Sequence, residues 1–321
     1  MGDSYHSCVT LHPTAHTWQA RQHPSTVGAV NPTSKSLWLV LVGFAALLTS
    51  CSGRSSQAAA ERVRTAQREP RANTCDPSSK LCREQDFVDA HRPDASLSGK
   101  WTELGGQRGY LSVPRGARAP LPAILLLHSA RGLTKNMQLW SDRLAEDGYA
   151  VLAADLYDGE VADTDAAAFE LRDRANANSA RSVAAIKAAY AGLSSDPRVL
   201  ARRVALVGWS YGGAWATYLA TELTDLTAIV TYAGSAVLDE RAAKRIRAPL
   251  LIIRGSEDVA YKADEATNFA DRLRIAGKKV ELLSVPGGHA LADPTRTGYS
   301  AAGDWAAFVR VRAFLKAHMS C

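Results

Sequence analysis

The chain has 321 residues, 46% of them hydrophobic and 22% charged, a balance that excludes a disordered or collagen-like protein. Five cysteines are too few for a disulfide scaffold. The net charge of +6 is spread thinly: two basic residues against one acid in residues 1–50, nine against seven in 51–100, and twenty-seven against twenty-four in 101–321, so no basic stripe marks a nucleic-acid surface.

The first 34 residues are polar and hold His6, His12, His16 and His23, without metal-site spacing. A polar preface of this kind does not suit a signal peptide, and a start at Val27 or Val30 is expected. Lys35 precedes the apolar run Leu37–Leu48, LWLVLVGFAALL, which is shorter than the ~20 residues a membrane-spanning helix needs. A positive residue, an apolar run and small residues form the layout of a secretory signal. Leu48-Thr49-Ser50-Cys51 resembles a bacterial lipobox, which implies that residues 1–50 are removed and Cys51 carries a lipid. A membrane-anchored protein of the bacterial cell envelope, periplasmic or on the outer face, is then expected.

Residues 51–99 read as a flexible tether, small and polar from Ser52 to Ala60 and arginine-rich from Arg54 to Arg71. Cys75 and Cys82 lie in or near it, and Cys321 ends the chain. After export a thiol pair here is able to oxidise, but the spacing matches no CxxC metal or redox motif.

Residues 100–321 form one domain. Apolar strands are expected at Gly109–Val113, Ala123–His128, Tyr149–Ala154, Val204–Val207, Thr227–Tyr232, Leu250–Arg254 and Val280–Val285. Helices are expected over Asn136–Asp147, with Met137, Trp140 and Leu144 on one side, and over most of Ala166–Gly192. Others follow at Ala214–Thr221, Phe269–Ala276 and Trp305–His318. Continuous apolar strands alternating with helices predict an α/β fold, a mostly parallel sheet covered on both faces.

Strand Val204–Val207 runs into Gly208-Trp209-Ser210-Tyr211-Gly212-Gly213 and then a helix, which is G-x-S-x-G in its strand–turn–helix setting. Ser210 is the expected nucleophile. A serine needs a base and the base an orienting carboxylate. His289 follows the last strand in Pro286-Gly287-Gly288-His289, whereas His128 reads as a loop-shaping residue and His318 as a surface one. The acid is expected after strand Leu250–Arg254, at Asp258, with Glu257 the local competitor and Asp264 a more distant one. The oxyanion hole takes the Tyr211 N–H and one from His128-Ser129-Ala130-Arg131-Gly132, with Ala130 ahead of Ser129.

These residues resemble the dienelactone hydrolase family, a branch of the α/β-hydrolases, over about residues 105–318. The segments that carry the likeness are LLLHSARGL, RLAEDGYAVLAADLY, VALVGWSYGG, RGSEDVAY and VPGGHA. The resemblance implies hydrolysis of a small-molecule ester or lactone through an acyl-enzyme, without metal or cofactor. The founding enzymes carry cysteine where Ser210 stands and a glutamate where Ser129 stands, so the paired change points to Ser-His-Asp catalysis. The family's arginine after the D-L-Y strand falls at Asp158-Gly159, and a second falls near Asp293, with Arg296 close by. Dienelactone itself is therefore not the expected substrate. An exported serine peptidase or acyl-peptide hydrolase on the same fold stands as a second reading, and a non-catalytic membrane-anchored binding protein as a third.

Overall fold

The computed structural model describes Phe87 and residues 92–118 and 120–319. The signal segment, Cys51, Cys75, Cys82, Cys321 and most of the tether lie outside the described residues.

Strands β1 (Lys100–Leu104), β2 (Gln107–Ser112), β3 (Leu121–Leu127), β4 (Ala150–Ala154), β5 (Val199–Trp209), β6 (Ala228–Tyr232), β7 (Leu250–Gly255) and β8 (Val280–Val285) form a sheet in the order β1-β2-β4-β3-β5-β6-β7-β8. β1 pairs antiparallel with β2, and β2 with β4; every later pairing is parallel. The helices are α1 (Lys135–Glu146), α2 (Asp165–Ala177), α3 (Ser179–Ser194), α4 (Tyr211–Leu219), α5 (Glu240–Arg245), α6 (Ala263–Ile275) and α7 (Ala301–Met319).

Strand alternation splits the core in two. Leu125, Leu152, Leu206, Ile229 and Ile252 point to one face, where Ile186 of α3, Trp215 of α4 and Phe269 of α6 cover them. Ile124, Leu126, Val151, Val207 and Val230 point to the other, under Trp140 of α1 and Phe308 of α7. Strands apolar on both faces are what two helical layers require.

The chain leaves β3 for β4 on one side and returns to β5 on the other. A crevice therefore opens at the carboxyl ends of β3 and β5, where the strand order reverses. Ala130 and Ser210 follow these two strand ends, and the loops after β7 and β8 bring Asp258 and His289.

Helix α5 is not among the expected elements, and β5 begins at Val199 rather than Val204; three further elements differ from the sequence expectation. The hairpin strand β1 is an exposed edge strand with little apolar patterning; it turns through Gly105 and Gly106 at φ 62° and 77°, the positive values a two-residue hairpin needs. The long helix over 166–192 is two helices broken at Asn178, whose side chain accepts from Arg181 N at 3.3 Å and caps α3. Helix α1 is buried nearly all round rather than on one side. Phe87 packs on its Trp140, and both Asn136 and Trp140 donate to the Ala292 carbonyl.

Candidate active site

Ser210 follows β5 and stands at the N-cap of α4, with φ 49° and ψ −108°. Such a conformation costs a non-glycine residue about 1–3 kcal/mol, so the surroundings must impose it. Ser210 N donates to Tyr232 O at 2.7 Å. Cβ atoms placed on Gly208, Gly212 and Gly234 would meet Gly212 O, Leu127 O and Ser210 O at 2.2, 2.2 and 2.1 Å. The glycines of the motif thus let β3, β5 and the post-β6 loop close on the turn. Beneath it Trp209 stacks on Tyr232 at 4.8 Å between ring centres.

Ser210 Oγ lies 2.8 Å from His289 Nε2. His289 Nδ1 lies 2.9 Å from Asp258 Oδ2 and 3.1 Å from Oδ1. The Asp258 side chain is fully buried, while that of His289 is 34% exposed. Asp258 Oδ1 also accepts from Ala260 N at 2.9 Å and Tyr261 N at 2.8 Å. An ionised carboxylate only accepts, so its partner nitrogen Nδ1 carries the proton and Nε2 is left to accept from the Ser210 hydroxyl. The structure therefore brings together the three side chains singled out in sequence. It separates the competitors: Glu257 and Asp264 are solvent-exposed and make no hydrogen bond to His289.

Tyr211 is the first residue of α4, so its N–H belongs to the unpaired amides at a helix start. Ala130 lines the same cleft as Ser210 and His289. The Ser129 carbonyl faces the other way, accepting from Gly132 N at 3.1 Å and meeting His128 Nδ1 at 2.7 Å. In a trans peptide the next N–H points opposite to that carbonyl, which turns Ala130 N–H away from the buried His128. His128 Nε2 accepts from Leu156 N at 3.1 Å, tying the loop after β3 to the loop after β4. Burial holds the His128 ring below its usual pKa, as a neutral structural residue.

Sequence reasoning missed the supports. The histidine loop is anchored at Ala292 O, which accepts from Asn136 Nδ2 at 3.2 Å and Trp140 Nε1 at 3.1 Å. These partners lie more than 150 positions from Ala292, so no local pattern marks them. The acid turn is held by Arg254, whose guanidinium reaches the Asp258 and Tyr261 carbonyls. At the two positions where the family's arginines would fall, Asp158 pairs with Arg181 at 2.5 Å and Asp293 accepts from Thr295 Oγ1 at 2.6 Å.

The cleft has a volume of about 1440 Å3 and runs from Ser210 past Phe169 and Val259. Among the described residues no group of three His, Cys, Asp or Glu side chains is arranged to hold a metal ion.

The profile of the dienelactone hydrolase family matches residues 107–319. Protein usf of Aquifex pyrophilus is 27% identical over 180 residues, covering 54% of this chain and 77% of that protein. A provisionally named carboxymethylenebutenolidase of Salmonella typhimurium is 25% identical over 239 residues, covering 65% and 83%. Among solved structures, a dienelactone hydrolase-like promiscuous phosphotriesterase from metagenomic libraries superposes with a TM-score of 0.64 at 24% identity, covering 70% of this chain and 100% of that one. The acylaminoacyl peptidase of Pyrococcus horikoshii gives 0.54 at 16% identity, covering 70% and 42%. These likenesses establish the α/β-hydrolase fold.

Proposed function

This chain belongs to the dienelactone hydrolase family, and from that premise we propose that it is a serine hydrolase cleaving a carboxylic ester or lactone through an acyl-enzyme on Ser210. The observation that carries the reading is the unbroken hydrogen-bond chain from Ser210 Oγ through His289 to buried Asp258.

Ser210 Oγ attacks the substrate carbonyl while its proton passes to His289 Nε2. The resulting imidazolium is stabilised by Asp258 through Nδ1–H, and the oxyanion by the N–H groups of Tyr211 and Ala130. Collapse expels the alkoxide, which takes the proton from Nε2 and leaves the acyl-serine ester. A water molecule then approaches the exposed edge of His289, loses its proton to Nε2 and attacks the ester. The second collapse releases the acid and returns the proton to Ser210. No step uses a metal or cofactor. Asp158 and Asp293 at the expected arginine positions favour an ester without the carboxylate of a dienelactone.

The Ser210→Ala variant tests the assignment. It should lose turnover of p-nitrophenyl acetate by about 1,000-fold or more and lose labelling by a fluorophosphonate probe. Wild-type activity in that variant overturns the nucleophile. An exported, lipid-anchored location is part of the same proposal, supported by the apolar run Leu37–Leu48 ending in Leu48-Thr49-Ser50-Cys51. Cys51→Ala should shift the protein from the membrane fraction to the soluble one and abolish lipid labelling; retention of both refutes the anchor.

A further inference from the structure

Two arginines that line the cleft meet on one carboxylate oxygen. Arg131 Nη2 lies 2.8 Å and Arg296 Nη2 2.5 Å from Asp165 Oδ1. The arginine side chains are 14% and 25% exposed and that of Asp165 45%. Asp165 opens α2 just after its cap Thr164, whose hydroxyl accepts from Ala167 N at 3.2 Å. Its backbone is thus set by the helix start.

Each arginine belongs to a loop that bears a reacting group. Arg131 follows Ala130, the oxyanion donor. Its Nη1 donates to Ala162 O at 3.0 Å while Nη2 takes Asp165, so its fork is held at two points, and its main-chain carbonyl accepts from Ala162 N at 3.0 Å. Arg296 lies within the loop that Gly288 N closes by donating to Gly298 O at 2.8 Å, and that loop begins at His289. Asp165 therefore joins the oxyanion loop and the histidine loop.

We propose that Asp165 is a positioning residue: by gripping Arg131 and Arg296 together it sets the spacing between the Ala130 N–H and the His289 imidazole. The physical reason is electrostatic. Two guanidinium groups on one oxygen repel each other, and the carboxylate between them turns that repulsion into a three-body attraction. Without its charge the two loops are pushed apart, and both steps of acyl transfer need them together. A displacement near 1 Å in such a site costs about 100-fold in rate. Asp165 touches neither the serine nor the histidine, so its effect falls on geometry rather than on proton transfer.

The inference rests on the serine-hydrolase reading. Asp165→Asn keeps the size and the acceptor but removes the charge. Its kcat for p-nitrophenyl acetate should fall by about tenfold or more with KM held within about twofold, because the interaction acts on the transition state rather than on substrate binding. The unfolding midpoint should stay close to that of the wild type. The double variant Arg296→Met/Asp165→Asn should have a higher kcat than Asp165→Asn alone, since deleting the arginine whose side chain is held by Asp165 removes the repulsion and leaves the Arg131–Ala162 bond in place. The proposal is overturned by an unchanged kcat, by a rise in KM alone, by a loss that follows the unfolded fraction, or by a double variant no faster than the single. A wild-type chain that neither turns over esters nor reacts with a fluorophosphonate overturns the hydrolase reading and this inference with it. An active wild type with an unaffected Asp165→Asn overturns the positioning role alone.

Discussion

Replacing Asp258 by asparagine tests the proton path with almost no change of shape. Two backbone amides, Ala260 N–H and Tyr261 N–H, both donate to Oδ1 at 2.9 and 2.8 Å. In the Asp258→Asn variant only the amide oxygen is able to accept from them, so the oxygen takes the Oδ1 position. The NH2 group is then forced to the Oδ2 position, 2.9 Å from His289 Nδ1. There it donates, and Nδ1 must surrender its proton to accept. The proton moves to Nε2, which faces Ser210 Oγ at 2.8 Å as a donor and is no longer a base. A wrong tautomer of this kind costs about 10,000-fold in kcat, or about 5 kcal/mol in the barrier. The check is kcat/KM for p-nitrophenyl acetate, with the unfolding midpoint measured alongside to show that the buried site still folds. The loss should be largest near neutral pH and shrink as alkaline medium supplies more hydroxide. Activity within tenfold of wild type would refute the tautomer argument and remove Asp258 from the proton path.

Three further outcomes follow from the packing and the charges. Gly212→Ala would drive a Cβ to 2.2 Å from Leu127 O, a backbone atom in the central strand; it should destabilise by about 2 kcal/mol or more, read as a lower urea midpoint. Trp140→Phe removes the Nε1–H donor to Ala292 O and leaves that carbonyl with Asn136 alone, so it should cost about 1 kcal/mol or more and lower kcat through the histidine loop. Burial pushes the Asp147 carboxyl up to about 6, although Arg312 stands 2.6 Å away. A carboxyl raised on folding binds its proton more tightly in the native state, so it adds stability as pH falls from about 6 toward its unfolded value near 3.8 and removes it as pH rises. Asp147→Asn lacks this titration. The stability difference between variant and wild type should therefore swing by about 3 kcal/mol across that window, in favour of the variant at neutral pH, when measured by urea unfolding at several pH values.

Much of the site was legible in the chain because the chemistry here is carried by short local patterns. Gly208-Trp209-Ser210-Tyr211-Gly212 between an apolar strand and a helix is a backbone requirement written in residue types. The glycines stand where a Cβ would strike backbone at close to 2 Å. His289 stands out by the scarcity of histidines in the domain and by its place after the last strand. Only a turn argument separates Asp258 from Glu257 in the sequence, and the fold supplies the physical difference: one is buried and hydrogen-bonded to His289, the other faces solvent. Edge strand β1 escaped because an exposed strand need not alternate, although Gly105-Gly106 was a readable turn. The break at Asn178 escaped because alanine-rich flanks favour helix on both sides, and only the capping bond shows where one ends.

The sequence by itself determined the layered α/β architecture, the strained serine turn and the order in which nucleophile, acid and base arrive. These depend on periodicity and on what glycine alone permits, and both are local. Only the tertiary structure decided which carboxylate faces the imidazole, that Ala292 O anchors the histidine loop to α1, and that Asp165 joins Arg131 to Arg296. Those contacts span 31, more than 150, and 34 and 131 positions. Residues so far apart meet only after the sheet has chosen its strand order, and that choice is made by the burial of both faces, not by the residues that later touch.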